Sequence, residues 1–176
     1  IITDKFKNEI KLNGFDYSIK SKVLRTNQMK LTDKESNVYM SNNAIIDLGN
    51  EKLAAKDIQI YFAEGELGKN ARLKGSSLTS ENNLSIIKNG IFTACKIRES
   101  CPPWSLKSKE IKHDKIKKLI NYNDSWLQFY DVPIFYFPKF FHPDPTVKRQ
   151  SGFLPPSFLT SSTSGGSINL PYYKVI

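Results

Sequence analysis

The sequence predicts an all-β protein, and three observations carry that prediction. Over Asp57–Phe62 polar and apolar residues alternate strictly: Asp57, Gln59 and Tyr61 on one face, Ile58, Ile60 and Phe62 on the other. That is the period-2 pattern of a half-buried strand. Turn signals return every ~8–12 residues, as in a sandwich, a barrel or a stacked solenoid. From Asp131 onward, Pro133, Pro138, Pro143 and Pro145 each remove a backbone donor and fix φ, so the aromatic-rich stretch they punctuate is extended and irregular, not helical.

The elements follow in order. Ile10–Leu12 and Tyr17–Ile19 flank Asn13-Gly14, a hairpin-type turn, and Lys22–Leu24 comes next. Val38–Met40 leads through Asn42-Asn43 to Ala44–Leu48, and Gly49-Asn50 turns into Lys52–Ala55. After the Asp57–Phe62 strand come Ala71–Lys74, Ser77–Thr79, Leu84–Ile87 and Gly90–Thr93. The phrase "apolar pair, turn, apolar pair" returns about once per two strands, which suits a solenoid whose rungs are V-shaped strand pairs. Lys109–Ile120 has some amphipathic helical character. His113-Asp114 falls where a tight turn belongs, however, so strands over Trp104–Ile111 and Ile116–Phe129 are the better reading.

The chain has 176 residues, enough for one domain with a sizeable core or one domain plus a fragment. It starts at Ile1 and stops at Ile176 just after a strand-like motif, so it reads as a piece of a longer protein. A formal charge of +9 and a pI near 9.4 favour anionic partners: nucleic acid, anionic lipid or a phosphorylated glycolipid. The lysines are scattered, which also fits an ordinary solvated face. No run approaches the ~20 apolar residues of a membrane-spanning helix, whereas a barrel strand of ~10 alternating residues would escape hydropathy.

Few residues invite chemistry. Cys95 and Cys101 lack nearby metal ligands, since His113 and His142 lie far along the chain. Their spacing is not Cys-x-x-Cys before a helix. A structural disulfide in an oxidising compartment is the remaining reading; a local bridge would close a loop of about seven residues, worth roughly 2.4 kcal/mol on the chain-entropy model. Ser151-Gly152 lacks a nucleophile elbow, and phosphate loops and dinucleotide fingerprints are absent. His113-Asp114 and His142-Pro143-Asp144 read as turn and loop. The expectation is no enzyme, no cofactor and no metal.

Phe135, Tyr136, Phe137, Phe140 and Phe141 crowd around Pro138, more apolar surface than a free loop should carry. This run VPIFYFP, with HPDPTVKRQSGFL and the trailing PYY, resembles the junction in the LptD (OstA) family of outer-membrane lipopolysaccharide-assembly proteins. The resemblance is strong from Thr93 onward and weaker back to about Val38. It implies an open β-jellyroll or β-solenoid of the OstA-like, LptA-like kind over residues 1–141. Residues 142–176 would then be a linker and the first segment of a transmembrane β-barrel.

The function implied is non-enzymatic transport and assembly of lipopolysaccharide at the outer membrane, with this portion mainly periplasmic. Implied partners are lipopolysaccharide, an LptA-like periplasmic bridge joined by edge-strand stacking, and an LptE-like lipoprotein plug. Nucleic acid is not expected. Candidates for the lipid groove are Val38, Met40, Ile45, Leu53, Ile58, Ile60, Phe62, Leu73, Ile86, Phe92, Phe135 and Phe137. Pro171, in the Pro-Tyr-Tyr motif, is the candidate for a loosened barrel seam. Family disulfides tie the periplasmic domain to cysteines near the end of the barrel, and Cys95 stands where the family has such a cysteine. The family's cysteine near the mature N-terminus is missing here and Cys101 departs from the pattern, so local and long-range pairing both stay open. Three alternatives stand beside this reading: the inward residues pack as a closed core, the chain is a soluble LptA-like bridge, or it is a basic β-domain for acidic polysaccharide or nucleic acid. The last would need aromatics interleaved with Lys or Arg on one exposed face.

Overall fold

The computed structural model describes residues 2–3, 9–63, 70–95, 103–144, 147, 151–154, 157–161 and 165–175. Ten of its strands form one antiparallel sheet in sequence order, a pure meander. They are β1 (Ile2–Thr3), β2 (Glu9–Ser18), β3 (Val23–Thr32), β4 (Val38–Asp47), β5 (Lys52–Tyr61), β6 (Arg72–Glu81), β7 (Leu84–Thr93), β8 (Trp104–Asp114), β9 (Leu119–Phe129) and β10 (Val132–Pro143). Beyond it, β11 (Gly152–Phe153) pairs with β14 (Tyr172–Tyr173), and β12 (Ser157–Ser161) with β13 (Gly165–Asn169).

Each long strand is bent once. Along a regular strand the inward set advances by two residues. Here it advances by three at mid-strand: Thr26 to Met29, Ser41 to Ala44, Ala55 to Ile58, Ile87 to Gly90, Ser108 to Ile111, Tyr122 to Ser125. Residues able to hold a left-handed backbone sit at these steps: Gly14 (φ 62°), Asn43 (55°), Asp57 (50°), Asn89 (48°) and Asp124 (50°). The outer side of the bend is a row of polar residues, in register from Asn13 through Gln28, Asn42, Lys56, Ser77, Lys88, Glu110 and Asn123 to Lys139.

The bend folds the sheet into two arms that face each other. On arm A, Ile10, Leu31, Tyr39, Ile60, Leu73, Phe92, Leu106 and Leu127 form one inward row. On arm B, Phe15, Thr26, Ala44, Ala55, Leu78, Ile87, Ile111, Tyr122 and Phe140 form another. The arms touch where Phe92 of arm A meets Tyr122 and His142 of arm B, at ring separations of 6.2 and 4.6 Å. Small residues let them close at the vertex. A Cβ on Gly75 would stand 2.1 Å from Ile87, and one on Gly90 would stand 2.3 Å from Ile111. Burial is complete in the middle, at Ile87, Ile111, Ile120 and Tyr122, and falls away at β2, where Phe15 is 63% exposed.

Two expectations about turns are corrected. Asn13-Gly14 and Asn42-Asn43 lie inside β2 and β4, at the bend, not in hairpin turns. The turn expected at His113-Asp114 comes one step later, at residues 115–118, and His113 is a buried strand residue. The proline-rich stretch expected to be irregular is instead the twelve-residue strand β10. Its prolines are tolerated because β10 is an edge of the sheet, where lost donors cost no ladder bond.

Candidate functional site

The facing inner sides of the two arms are the candidate site. Ile58, Ile60, Phe62, Leu73 and Phe92 all lie there and are nearly fully buried, and Leu53 and Phe137 pack against the same cluster half-buried. Met40, Ile45 and Phe135 point the other way, with 42%, 46% and 50% of their surface exposed. Val38 and Ile86 share that outer parity and are half-buried. The reason is the three-residue step. Within the pairs Ile45-Ile46 and Ile86-Ile87 either residue could face inward by hydropathy, and the position of the bend selects the second. Tyr39 turns inward on the parity it shares with Ser41, and its hydroxyl donates to Asp33 Oδ2 at 3.3 Å.

At the tips of the arms the interior becomes polar. His113 Nε2 lies 2.5 Å from Asp144 Oδ2, both side chains almost fully buried. Tyr122 OH lies 2.6 Å from His142 Nε2, and the other ring nitrogen of His142 is 2.5 Å from the Pro143 carbonyl. Burial pulls His142 down to about 4, so the ring is neutral at pH 7. Burial, and then the Asp144 charge, push Tyr122 well above the usual phenol range. Tyr39 is raised in the same way, by burial first and then by Asp33 and Asp144. A neutral histidine, a protonated tyrosine and a carboxylate against a second histidine make a structural polar cluster. Sequence reading assigned His113, His142 and Asp144 to turn and loop. The missed signal was the density of hydrogen-bonding side chains in His142-Pro143-Asp144 directly after an apolar strand.

Cys95 is a half-buried thiol whose Sγ lies 3.6 Å from the Trp104 carbonyl; its amide donates to Thr93 Oγ1 at 3.2 Å. Cys101 lies outside the described residues. Pro171, just before β14, is half-buried, and its carbonyl accepts from Leu154 N at 2.9 Å. The outer face carries a row of its own: Lys11, Lys30, Met40, Gln59, Lys74, Ile91, Lys107, Trp126 and Tyr136, in register across the strands.

The comparisons with known proteins point one way. The LPS-assembly protein LptD of Pseudomonas aeruginosa UCBPP-PA14 is 35% identical over 120 residues, 66% of this chain and 13% of that protein. LptD of Pseudomonas putida GB-1 is 30% identical over 169 residues, 86% of this chain and 18% of the relative. LptD of Shewanella denitrificans is 32% identical over 146 residues, 80% of this chain. This chain is an LptD homologue. It spans less than a fifth of the length of these LptD relatives, 13% and 18% for the two pseudomonad proteins. Among solved structures, LptH of Pseudomonas aeruginosa, described as the LptA-homologous periplasmic component of a lipopolysaccharide transport device, matches 66% of this chain and 81% of its own at a TM-score of 0.49 and 11% identity. No protein-family model matches the sequence. The expected all-β, antiparallel architecture is what the chain adopts, and the LptD resemblance read from its motifs is what the relatives bear out.

Proposed function

We propose that this chain is the periplasmic β-domain of an LptD protein, that it carries the acyl chains of lipopolysaccharide between its two arms, and that it delivers them to a barrel at the outer membrane. The observation that carries the reading is the continuity of the inward rows. Apolar side chains stand in register from Ile10 to Leu127 and from Ala44 to Phe140, and this reading takes the two rows as one greasy track along the sheet. At about 25 cal/mol per Å² of sheltered apolar area, holding several acyl chains there is worth many kcal/mol. No bond is made or broken, so the transport is non-enzymatic.

The edges fit head-to-tail assembly with another β-domain. Among the described residues β1 pairs with Glu9 and Ile10 of β2, and the rest of β2 would be the template for strand addition from an LptA-like bridge. β10 is blunted by Pro133, Pro138 and Pro143, so the incoming domain should add at β2. Residues 142–176 would lead into the barrel, with Pro171 at its seam, an LptE-like plug as a further partner, and Cys95 and Cys101 engaged in disulfides, local or to the barrel end.

The test is site-specific photo-crosslinking with a probe at Phe62, on the inner face, and a control at Tyr61, on the outer face. Lipopolysaccharide adducts at Phe62 and not at Tyr61 are expected. Absence of adducts from a folded chain at both sites would mean a closed core and would overturn the reading. A second reading has one observation in its favour: Lys11, Lys30, Lys74 and Lys107 share the outer row with Met40, Ile91, Trp126 and Tyr136, a mixture of cations and apolar faces that a binder of acidic polysaccharide would use. Binding steeply weakened by salt but indifferent to detergent would support that reading.

A further inference from the structure

We propose that the joint between the β3–β4 turn and the β8–β9 turn is a gate into the space between the arms, and that it opens when a phosphorylated headgroup takes Lys118 away from Glu35. The inference rests on the interior being an acyl-chain path.

Each side of the joint is a preformed unit. In the β3–β4 turn, Asp33 Oδ1 accepts from the amides of Glu35 and Asn37, both at 2.9 Å, and Oδ2 accepts from Asn37 Nδ2 at 3.0 Å. In the β8–β9 turn, Asp114 Oδ1 accepts from the amides of Ile116 and Lys117 at 3.1 and 2.9 Å. Two hydrogen-bonded turns, far apart in sequence and on opposite arms, meet here, and two polar contacts join the β8–β9 turn to the β3–β4 turn and to the start of β4. One is the Lys118–Glu35 ion pair. The other places Lys115 Nζ 5.4 Å from the centroid of the Tyr39 ring. Most other ion pairs among the described residues join neighbours on the same or adjacent strands, such as Lys52–Glu81 and Lys88–Glu110. A half-exposed pair contributes little net stability, so it can exchange partners readily.

What lies behind the joint also favours opening. Asp144 and His113 sit under it, and His113 Nδ1 has no hydrogen-bond partner among the described residues. A seam with an unpaired buried nitrogen gains a hydrogen bond when water enters, whereas parting Ile87 from Gly75 at the vertex gains none. The ligand class follows from the turn itself. Lys115, Lys117 and Lys118 surround Ile116, which is 73% exposed. That arrangement suits an amphiphile with phosphates on its headgroup and acyl tails behind it. The phosphates displace Glu35, and the tails enter through the parted turns.

The experiment uses the whole chain with Cys95→Ser and Cys101→Ser, carrying Glu35→Cys and Lys118→Cys. The two new thiols are joined by a short reducible bifunctional reagent, and a photo-probe is placed at Phe137. Lipopolysaccharide is offered before and after the link is reduced. The linked form should label about tenfold less than the reduced form. Equal labelling overturns the gate and leaves the interior path standing. No labelling in either form, nor in the unlinked parent, overturns the interior path and the gate with it. The headgroup trigger is read with dephosphorylated lipopolysaccharide on the unlinked parent. It should load about tenfold more slowly than the phosphorylated form, and Glu35→Gln should abolish that difference. Equal rates in the parent overturn the trigger.

Discussion

At the bend of the sheet the two arms are joined by Gly75 against Ile87 and Gly90 against Ile111, with the nearly fully buried Leu78 alongside, all apolar contact. At their far ends the arms are joined by the Glu35–Lys118 ion pair and by Lys115 over the Tyr39 ring, with the buried His113–Asp144 pair beside them on arm B. The difference teaches how one folded sheet can be fixed at one side and openable at the other. Apolar contact in a dry vertex has no competitor in water. Polar contact at a rim does, so the rim parts at far lower cost than the vertex.

The largest effect should therefore come from the vertex. Ile111→Ala removes a fully buried side chain lodged against Gly90 and should cost about 4 kcal/mol. Urea denaturation of the chain checks it; a loss well under half of that would mean the vertex relaxes and is not the fixed side.

Acid should act next, through the tip. His142 is held neutral down to about 4, while in the unfolded chain it takes up a proton near 6.5. Between those values the unfolded chain binds more protons, so stability falls as pH drops from 6.5 toward 4 and then levels off. The full span is worth roughly 3 kcal/mol. Denaturation midpoints measured across that range for the parent and for His142→Gln should show a shallower slope in the variant. Parallel slopes would move the acid sensitivity elsewhere.

Asp144→Ala should cost less than Ile111→Ala, about 2 kcal/mol, the scale of leaving a buried donor unsatisfied. The tip can admit water to His113, and the vertex cannot do the same for a cavity. A loss equal to that of Ile111→Ala would erase the distinction between the two closures.

How much of this was legible in the sequence depends on the period of the pattern. Asp57–Phe62 lies on one side of a bend, so simple alternation placed Ile58, Ile60 and Phe62 inward, where they are. Across a bend it failed. Asn13-Gly14 and Asn42-Asn43 carry the same left-handed preference at a mid-strand bend as in a hairpin, so composition cannot separate the two. Misreading them cut β2 and β4 in half and left Ile45 and Ile46 interchangeable. The polar tip was illegible for another reason. His113 meets Asp144 only once β8, β9 and β10 pair, and Glu35 meets Lys118 only after the sheet folds on itself; no local spacing encodes those meetings. The family motifs, by contrast, lie in contiguous stretches and could be read directly.

The smallest effect is the most discriminating. Glu35→Gln removes the charge from a half-exposed pair and should change global stability by under about 1 kcal/mol. Its consequence should instead be local. The amides of Ser36 and Lys115, in the two turns, should exchange with solvent several-fold faster, because local opening is governed by the contacts of each unit and not by the whole fold. The amides of Ile87 and Ile111 should keep the parent's protection. If they loosen together with the turns, rim and vertex are one cooperative unit, and the rim cannot open while the bend holds. If only the turns loosen, the ion pair sets how often the rim parts, at almost no cost to the fold.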